Sequence, residues 1–363
     1  MRVLMLVQQL DERDWLRAFI LNWVRALAAC VKQVDVITLE LGQASLPENV
    51  TVQSMGKERG YSRLRELWEF NRALARTVPH VDVIFTHMTP RYTWIAAPYA
   101  LLFNKPQVLW FVHRNVSIEL RLAHALADRV VTASPESFTL PSRKVTVLGH
   151  GVDLARFHPA DRLSHEHLIL SVGRLSPIKN HAVLLQVAAR LATRPGFEDV
   201  RFAIAGGETP ENPDHSATLY ALARELGVEK RVSFLGAVPH ADIPALYHRA
   251  ALTVNLCPTG GLDKAVLESM ASGVPAIVHN RTFLPLLGEE APLLWCETLD
   301  PDQIADHIAS LLNQPLEARL ALGKKLATRV QAEYSLDGLM DKLVAVFEDV
   351  ISRRKAGRHG APR

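Results

Sequence analysis

Cysteine is scarce in this chain: three residues in 363, at positions 30, 257 and 296. The number is odd, the spacing is wide, and no C-x-x-C pair occurs. That argues against a disulfide framework and a cysteine zinc site, and a reducing cytoplasm is the expected compartment. No H-E-x-x-H occurs, and His165-Glu166-His167 sits in a polar stretch, so no metal is expected. No G-x-G-x-x-G occurs either, which argues against a nicotinamide oxidoreductase. The longest apolar stretch, 92–103, is short and carries Pro98. A bilayer span takes about 20 residues, so no transmembrane helix is expected. The opening MRVLMLVQQLDERDW lacks a basic leader followed by a long apolar run, so no signal peptide is expected. Neither sign of charge dominates, with 41 Lys+Arg against 38 Asp+Glu, and no nucleic-acid partner is expected.

What is present is a folded globular chain, 48% hydrophobic and 22% charged. Its length suits two domains of roughly 150–200 residues. Charge is unevenly spread. Residues 1–160 hold 19 basic and 14 acidic side chains, residues 161–363 hold 22 and 24, and 353–363 hold five basic and no acidic ones. Such a basic front half and tail suit either plain solvation or an anionic surface.

Short β-branched runs alternate with helix-length amphipathic segments. Strands are predicted at 2–7, 34–38, 81–86, 108–112, 130–132 and 144–148, with helices at 15–31, 61–78, 93–103 and 118–127. The stretch 153–167 reads as a linker. The alternation restarts with strands at 168–172, 201–205, 232–234, 252–255 and 276–278. Between and after them, helices are predicted at 181–191, 217–226, 243–249, 264–271, 300–312, 316–333 and 336–354. This pattern predicts an α/β chain of two Rossmann-like doubly wound parallel sheets. The domains are placed at 1–158 and 159–335, with 336–363 a terminal helix and basic tail. Ligands are expected at the carboxyl ends of the strands, in a cleft between the two sheets.

The residues at those ends carry charge and glycine. The strand 168–172 is followed by Gly173-Arg174-Leu175-Ser176-Pro177-Ile178-Lys179-Asn180. Gly173 permits a tight turn, and Arg174 with Lys179 reads as a pyrophosphate clamp or a salt-bridged surface loop. Gly206-Gly207 after the next strand permits close approach of backbone to a ligand. The run Asn255-Leu256-Cys257-Pro258-Thr259-Gly260-Gly261-Leu262-Asp263 leads into the helix 264–271, with Asp263 as its cap. Free N–H groups of Gly260, Gly261 and Leu262 suit phosphate or sugar oxygens. Glu268 on that helix either faces a hydroxyl or cation, or faces solvent. Gly273 supplies the left-handed end, with Pro275 just beyond. Asp300-Pro301-Asp302 imitates a metal-binding D-x-D, but its place before a helix favours capping. Leu64, Leu67 and Trp68, with Arg65 and Arg72, suit a core-packed helix, the reading favoured by Glu66 and Glu69, or a helix docked on anionic lipid.

Five segments in order resemble the retaining family 4 glycosyltransferases. They are Gly151-Val152-Asp153 with Arg156-Phe157-x-Pro159; Val172-Gly173-Arg174-Leu175 with Lys179-Asn180; Ile204-Ala205-Gly206; Val232-Ser233-Phe234-Leu235-Gly236; and Leu267-Glu268-Ser269-Met270-Ala271-Ser272-Gly273-Val274-Pro275. The resemblance covers roughly 145–350 and implies a GT-B fold, two Rossmann-like domains facing across a cleft. It implies a sugar transfer from a nucleotide-diphosphate sugar, UDP or GDP, to a saccharide or lipid-linked acceptor in surface glycan synthesis, without metal or other cofactor. Residue by residue, Arg174 and Lys179 would neutralise the leaving diphosphate and Glu268 would hold the ribose. Gly236 and Val238 would lie near the base, and Gly206 and Gly207 would line the nucleotide pocket. His113 would face the donor sugar. His150 and His87 are more readily structural or acceptor-side. The resemblance also implies that 336–354 crosses back onto the first domain.

Two departures stand out. The family's usual glutamate eight positions before Glu268 is Gly260 here. A charged hydrogen bond lost there is worth about 1.5–3 kcal/mol, unless Asp263 or the N–H groups of 260–262 replace it. The usual Gly-Gly loop after the first strand is Gln8-Gln9-Leu10-Asp11-Glu12-Arg13-Asp14, which implies an unusual acceptor. The rival readings are a non-catalytic nucleotide-sugar-binding scaffold, which Gly260 favours and the Arg174/Lys179 pair opposes, and an epimerase or phosphorylase. The expected location is cytoplasmic, with room for peripheral contact at the inner face of an anionic membrane.

Overall fold

The structure, a computed structural model, describes residues 1–14, 17–160, 167–209, 211–258 and 260–359. The chain divides into two compact units, Met1–Gly151 with Leu336–Arg363, and Val152–Ser335. The sequence put the first boundary at 158/159. The units part at 151/152 because Val152 and Phe157 are buried in the second core.

The first unit is a seven-stranded, all-parallel sheet. Its elements are β1 (Arg2–Leu10), α1 (Phe19–Cys30), β2 (Gln33–Leu41), β3 (Val50–Ser54), α2 (Arg63–Thr77), β4 (Val83–His87) and α3 (Pro90–Leu102). They continue as β5 (Gln107–Trp110), α4 (Ile118–Leu126), β6 (Arg129–Thr132) and β7 (Val145–Val147). The strand order is β3-β2-β1-β4-β5-β6-β7. The helix predicted from 15 begins at Phe19, and residues 15 and 16 lie outside the described residues. β1 is apolar throughout its first half because both its faces are covered. Val3, Met5 and Val7 face one core, with α1 behind it, and Leu4 and Leu6 face another, with α2 and α3. The chain's last helix, Leu336–His359, buries Leu336, Leu339, Met340, Leu343, Phe347 and Val350 in the same core as α1. Burying six such side chains contributes on the order of 10 kcal/mol before entropy.

The second unit contains β8 (Leu168–Val172), α5 (His181–Ala192), β9 (Arg201–Ala205), α6 (His215–Glu225), β10 (Val232–Gly236) and α7 (Ile243–Arg249). It continues with β11 (Ala250–Asn255), α8 (Lys264–Ala271), β12 (Ala276–Val278), α9 (Leu284–Leu287), α10 (Ala291–Leu294), α11 (Pro301–Leu312) and α12 (Leu316–Tyr334). All five strands are parallel, in the order β10-β9-β8-β11-β12. The order reverses between β8 and β11, the place at which open α/β sheets bind their ligands. Among the described residues no helix is long and apolar enough to cross a membrane.

Candidate functional site

The two loops after β8 and β11 meet through side chains. After β8 the chain turns at Gly173, passes a short 3-10 turn at Pro177–Lys179, and enters α5 through Asn180 at φ +53°. Asparagine tolerates that left-handed geometry, and its Nδ2 donates to the Leu256 carbonyl at 2.9 Å, tying one loop to the other. Lys179 lies back over Gly173: a Cβ there would stand 3.2 Å from Lys179 Cε. Its ammonium pairs with Asp263.

Asp263 holds three things together. Its Oδ2 receives Lys179 and also Asn255 Nδ2 at 2.9 Å, while its Oδ1 accepts the Ala265 N–H at 3.3 Å, capping α8. Burial alone would raise this carboxyl. The Lys179 charge, with the bonds from Lys179, Asn255 and the cap, outweighs it and holds the group below the ordinary carboxylate range. Arg174 is exposed and forms no ion pair among the described residues. The arrangement is thus one cation anchored and one left in solvent, on a loop that feeds a helix N-terminus.

Glu268 is not the solvent-facing residue that one reading allowed. It is 4% exposed, accepts from His240 Nε2 at 3.0 Å, and pairs with Lys264 Nζ at 3.5 Å. Burial would raise its carboxyl too, but the Lys264 charge and the His240 bond hold it low. Asp263 and Glu268 stand five residues apart on α8, a rise of about 7.5 Å.

The glycines divide by role. At Gly206 a Cβ would lie 1.8 Å from the Gly173 carbonyl oxygen, so the close approach read as a ligand's is made by the neighbouring loop. Gly173 N–H donates to Ala205 O at 2.9 Å and Leu175 N–H to Gly207 O at 2.9 Å, stitching the same pair of loops. Gly236 ends β10 at φ +68° and its carbonyl accepts from Gly206. Val238 is half-buried against the core. Gly260 has φ +110°, with open space where a Cβ would be. The departure from glutamate therefore goes with a backbone that a glutamate would strain. Asn280 Nδ2 donates to the carbonyls of Gly260 and Gly261, at 3.3 and 3.2 Å, and fixes this loop. Leu262 is buried. Thr259 lies outside the described residues.

His113 belongs to the first unit. β5 ends at Trp110, so His113 is three residues past the strand rather than at its end. It is exposed, and its Nδ1 accepts the Asn115 N–H at 3.0 Å. His87 is buried at the end of β4, 4.8 Å from Trp23 and stacked on Trp110 at 6.5 Å. His150 meets Trp110 edge-on, centroids 6.4 Å apart. Asp300 caps α11 through the Asp302 N–H at 3.0 Å, the role its sequence position suggests. Among the described residues no three His, Cys, Asp or Glu gather as metal ligands. His165 and Glu166 lie outside the described residues.

Sequence reasoning missed Asn180, Asn255, His240, Lys264 and Arg156 as parts of this site. Arg156, Asn180 and His240 act through contacts between segments 28 to 84 residues apart, whereas Asn255 and Lys264 reach Asp263 and Glu268 from eight and four positions away.

The α2 surface also differs from the expectation. Its buried face is Phe70, Ala73, Leu74 and Thr77, whereas Leu64 is 81% and Trp68 58% exposed. Leu67 is exposed as well, so these three do not pack on the core.

Residues 157–329 match the family "Glycosyl transferases group 1". The D-inositol 3-phosphate glycosyltransferase of Corynebacterium glutamicum is 28% identical over 223 residues, 58% of this chain and 52% of that one. The chain thus spans about half the length of the curated relatives it matches. Among solved structures, Anabaena Alr3699/HepE in complex with UDP superposes with a TM-score of 0.75 at 16% identity, over 96% of this chain and 100% of that one. Sucrose-phosphate synthase from Thermosynechococcus elongatus gives 0.71 at 18% identity, over 97% and 100%. The chain has the GT-B fold, and its residues 157–329 match the glycosyl transferases group 1 family.

Proposed function

We propose that this chain is a retaining family 4 glycosyltransferase. In this reading the second unit holds a nucleoside-diphosphate sugar, with a uridine donor first in line, and passes the sugar to a saccharide or lipid-linked acceptor in polysaccharide synthesis. The observation that carries the reading is the spacing on α8. A lysine anchored at its N-terminus and a buried carboxylate about 7.5 Å further on suit the diphosphate and the ribose of one nucleotide. The UDP complex of the Anabaena relative supports the choice of base.

Chemically, such a transfer asks for no protein nucleophile. The C1–O bond to the diphosphate breaks while the acceptor oxygen bonds to C1 on the same face, and the leaving phosphate oxygen takes the acceptor's proton. Arg174 and Lys179 stabilise the charge that develops on the diphosphate, aided by the N–H groups of 260–262 and the start of α8. Gly173, Gly206 and Gly207 shape the phosphate side, and Gly236 and Val238 the base side. Asp263 serves by holding Lys179 in place. No metal or other cofactor is required in this reading.

Leu64, Leu67 and Trp68, exposed beside Arg63, Arg65 and Arg72, support a peripheral contact with an anionic membrane carrying the acceptor. A non-catalytic scaffold is the second reading, favoured by Gly260 at φ +110° in place of the family's glutamate.

A thermal-shift panel of UDP-, GDP-, ADP- and dTDP-sugars on wild type and Lys179→Ala tests the proposal. At about 100 times Kd a ligand adds roughly 2.7 kcal/mol. One base should raise the melting temperature of the wild type and not of the variant. No shift with any of the four would overturn the donor site.

A further inference from the structure

The proposed ribose carboxylate is supported by a hydrogen-bonded chain of side chains. Arg156, from the segment before β8, donates through Nη1 to His240 Nδ1 at 3.3 Å and through Nη2 to the His240 carbonyl at 2.8 Å. A guanidinium can only donate, so Nδ1 must accept. The imidazole is thereby fixed as the neutral tautomer with its proton on Nε2. That proton points at Glu268 Oε1, 3.0 Å away. Phe157 packs against the ring, centroids 5.4 Å apart and planes tilted by 55°, and the His240 side chain is only 15% exposed. Lys264 also reaches Glu268 on Oε1.

We infer that Arg156 and His240 form a positioning pair that orients the Glu268 carboxylate to receive the ribose hydroxyls of the nucleotide donor. This rests on the donor-site reading above. The pair touches no reacting atom. Its effect is to select ribose over deoxyribose, because a carboxylate held in one rotamer by a charged hydrogen-bond chain can accept from a cis-diol in one geometry only. The chain also gives Arg156 and Phe157, adjacent in one of the five family-like segments, complementary roles. Arg156 sets the tautomer of the imidazole, and Phe157 packs against the same ring.

The test is a titration calorimetry comparison of UDP with 2′,3′-dideoxy-UDP. It uses the wild type, His240→Ala, His240→Gln and Arg156→Ala, each checked for a native melting transition. The wild type should prefer UDP by about tenfold or more, the worth of a hydrogen bond to a charged group. His240→Ala should bring the ratio close to one, mainly by weakening UDP. His240→Gln, whose amide can still donate to Oε1, should keep most of the preference, and Arg156→Ala should fall between. A wild type that prefers UDP, with both His240 variants keeping the full ratio, overturns the positioning role. A wild type that binds both nucleotides equally instead removes Glu268 from the ribose, and one that binds neither removes the donor site.

Discussion

Replacing Lys179 with methionine keeps the apolar stem and deletes the charge that Asp263 faces. The lysine side chain is 15% exposed and its partner 21%. After the change, Asp263 keeps only neutral donors, Asn255 and the α8 cap. Breaking a fully buried pair costs about 3–5 kcal/mol and a charged hydrogen bond is worth about 1.5–3. Since both groups still touch solvent, about 2 kcal/mol is expected at pH 7, or about 4–8 °C for a unit of this size. The pH dependence follows from the same contact. Asp263 is held below its unfolded value. Its contribution is therefore present above about pH 4 and is lost as pH falls through the folded value. Lys179 is the main force lowering that value, so the gap between wild type and variant should narrow under acid. Urea unfolding of the full chain at pH 7 and pH 3.5, followed by circular dichroism, measures both. A second Asp263→Asn change should cost less than it does in the wild type. The reasoning is refuted by a variant within about 0.5 kcal/mol of wild type at pH 7, or by a gap that does not change with pH.

Gly206→Ala should destabilise the second unit by about 3 kcal/mol or more, since its Cβ would collide with the Gly173 carbonyl; a melting temperature within a degree or so of wild type would show that the two loops can part freely. His181 is buried at the start of α5, and burial, helped by Lys179 and His215, pushes its imidazole down to about 4. Its neutral form therefore supports folding above about pH 6.5, and that support, on the order of 3 kcal/mol, is lost as pH falls towards 4; His181→Gln should flatten the stability profile over this window, and an unchanged slope would exclude the residue. Leu64→Ser with Trp68→Ser should leave the melting temperature unchanged, because both side chains are exposed, yet abolish sedimentation with phosphatidylglycerol vesicles at low salt; retained sedimentation would remove α2 as the membrane face.

Much of the second unit is legible in its sequence. Strands at 168–172, 201–205 and 276–278 and helices at 243–249 and 264–271 keep in the structure the bounds read from the sequence, with Gly173, Gly206, Pro275 and the capping Asp263 marking four of their ends. β3 was not legible: Val-Thr-Val-Gln-Ser is an edge strand, half exposed, with no apolar run to announce it. α9 and α10 were not legible either, being single turns of four residues. Within the site, residue types were readable and partners were not. Lys179 reads as a free cation until Asp263, 84 positions on, is folded against it, and Glu268 reads as ambiguous until His240 closes on it. Gly206 carried the right physical signal, a close approach, but only the fold names what approaches.

The most direct measurement is proton NMR of the purified chain with UDP-glucose, alone and with saccharide and lipid-linked acceptors, reading the anomeric coupling of the transferred sugar. A donor that is consumed with its α-configuration kept, and not consumed by Lys179→Ala, is the predicted result. An inverted product, or UDP-glucose that is isomerised with no acceptor present, would contradict a retaining transferase.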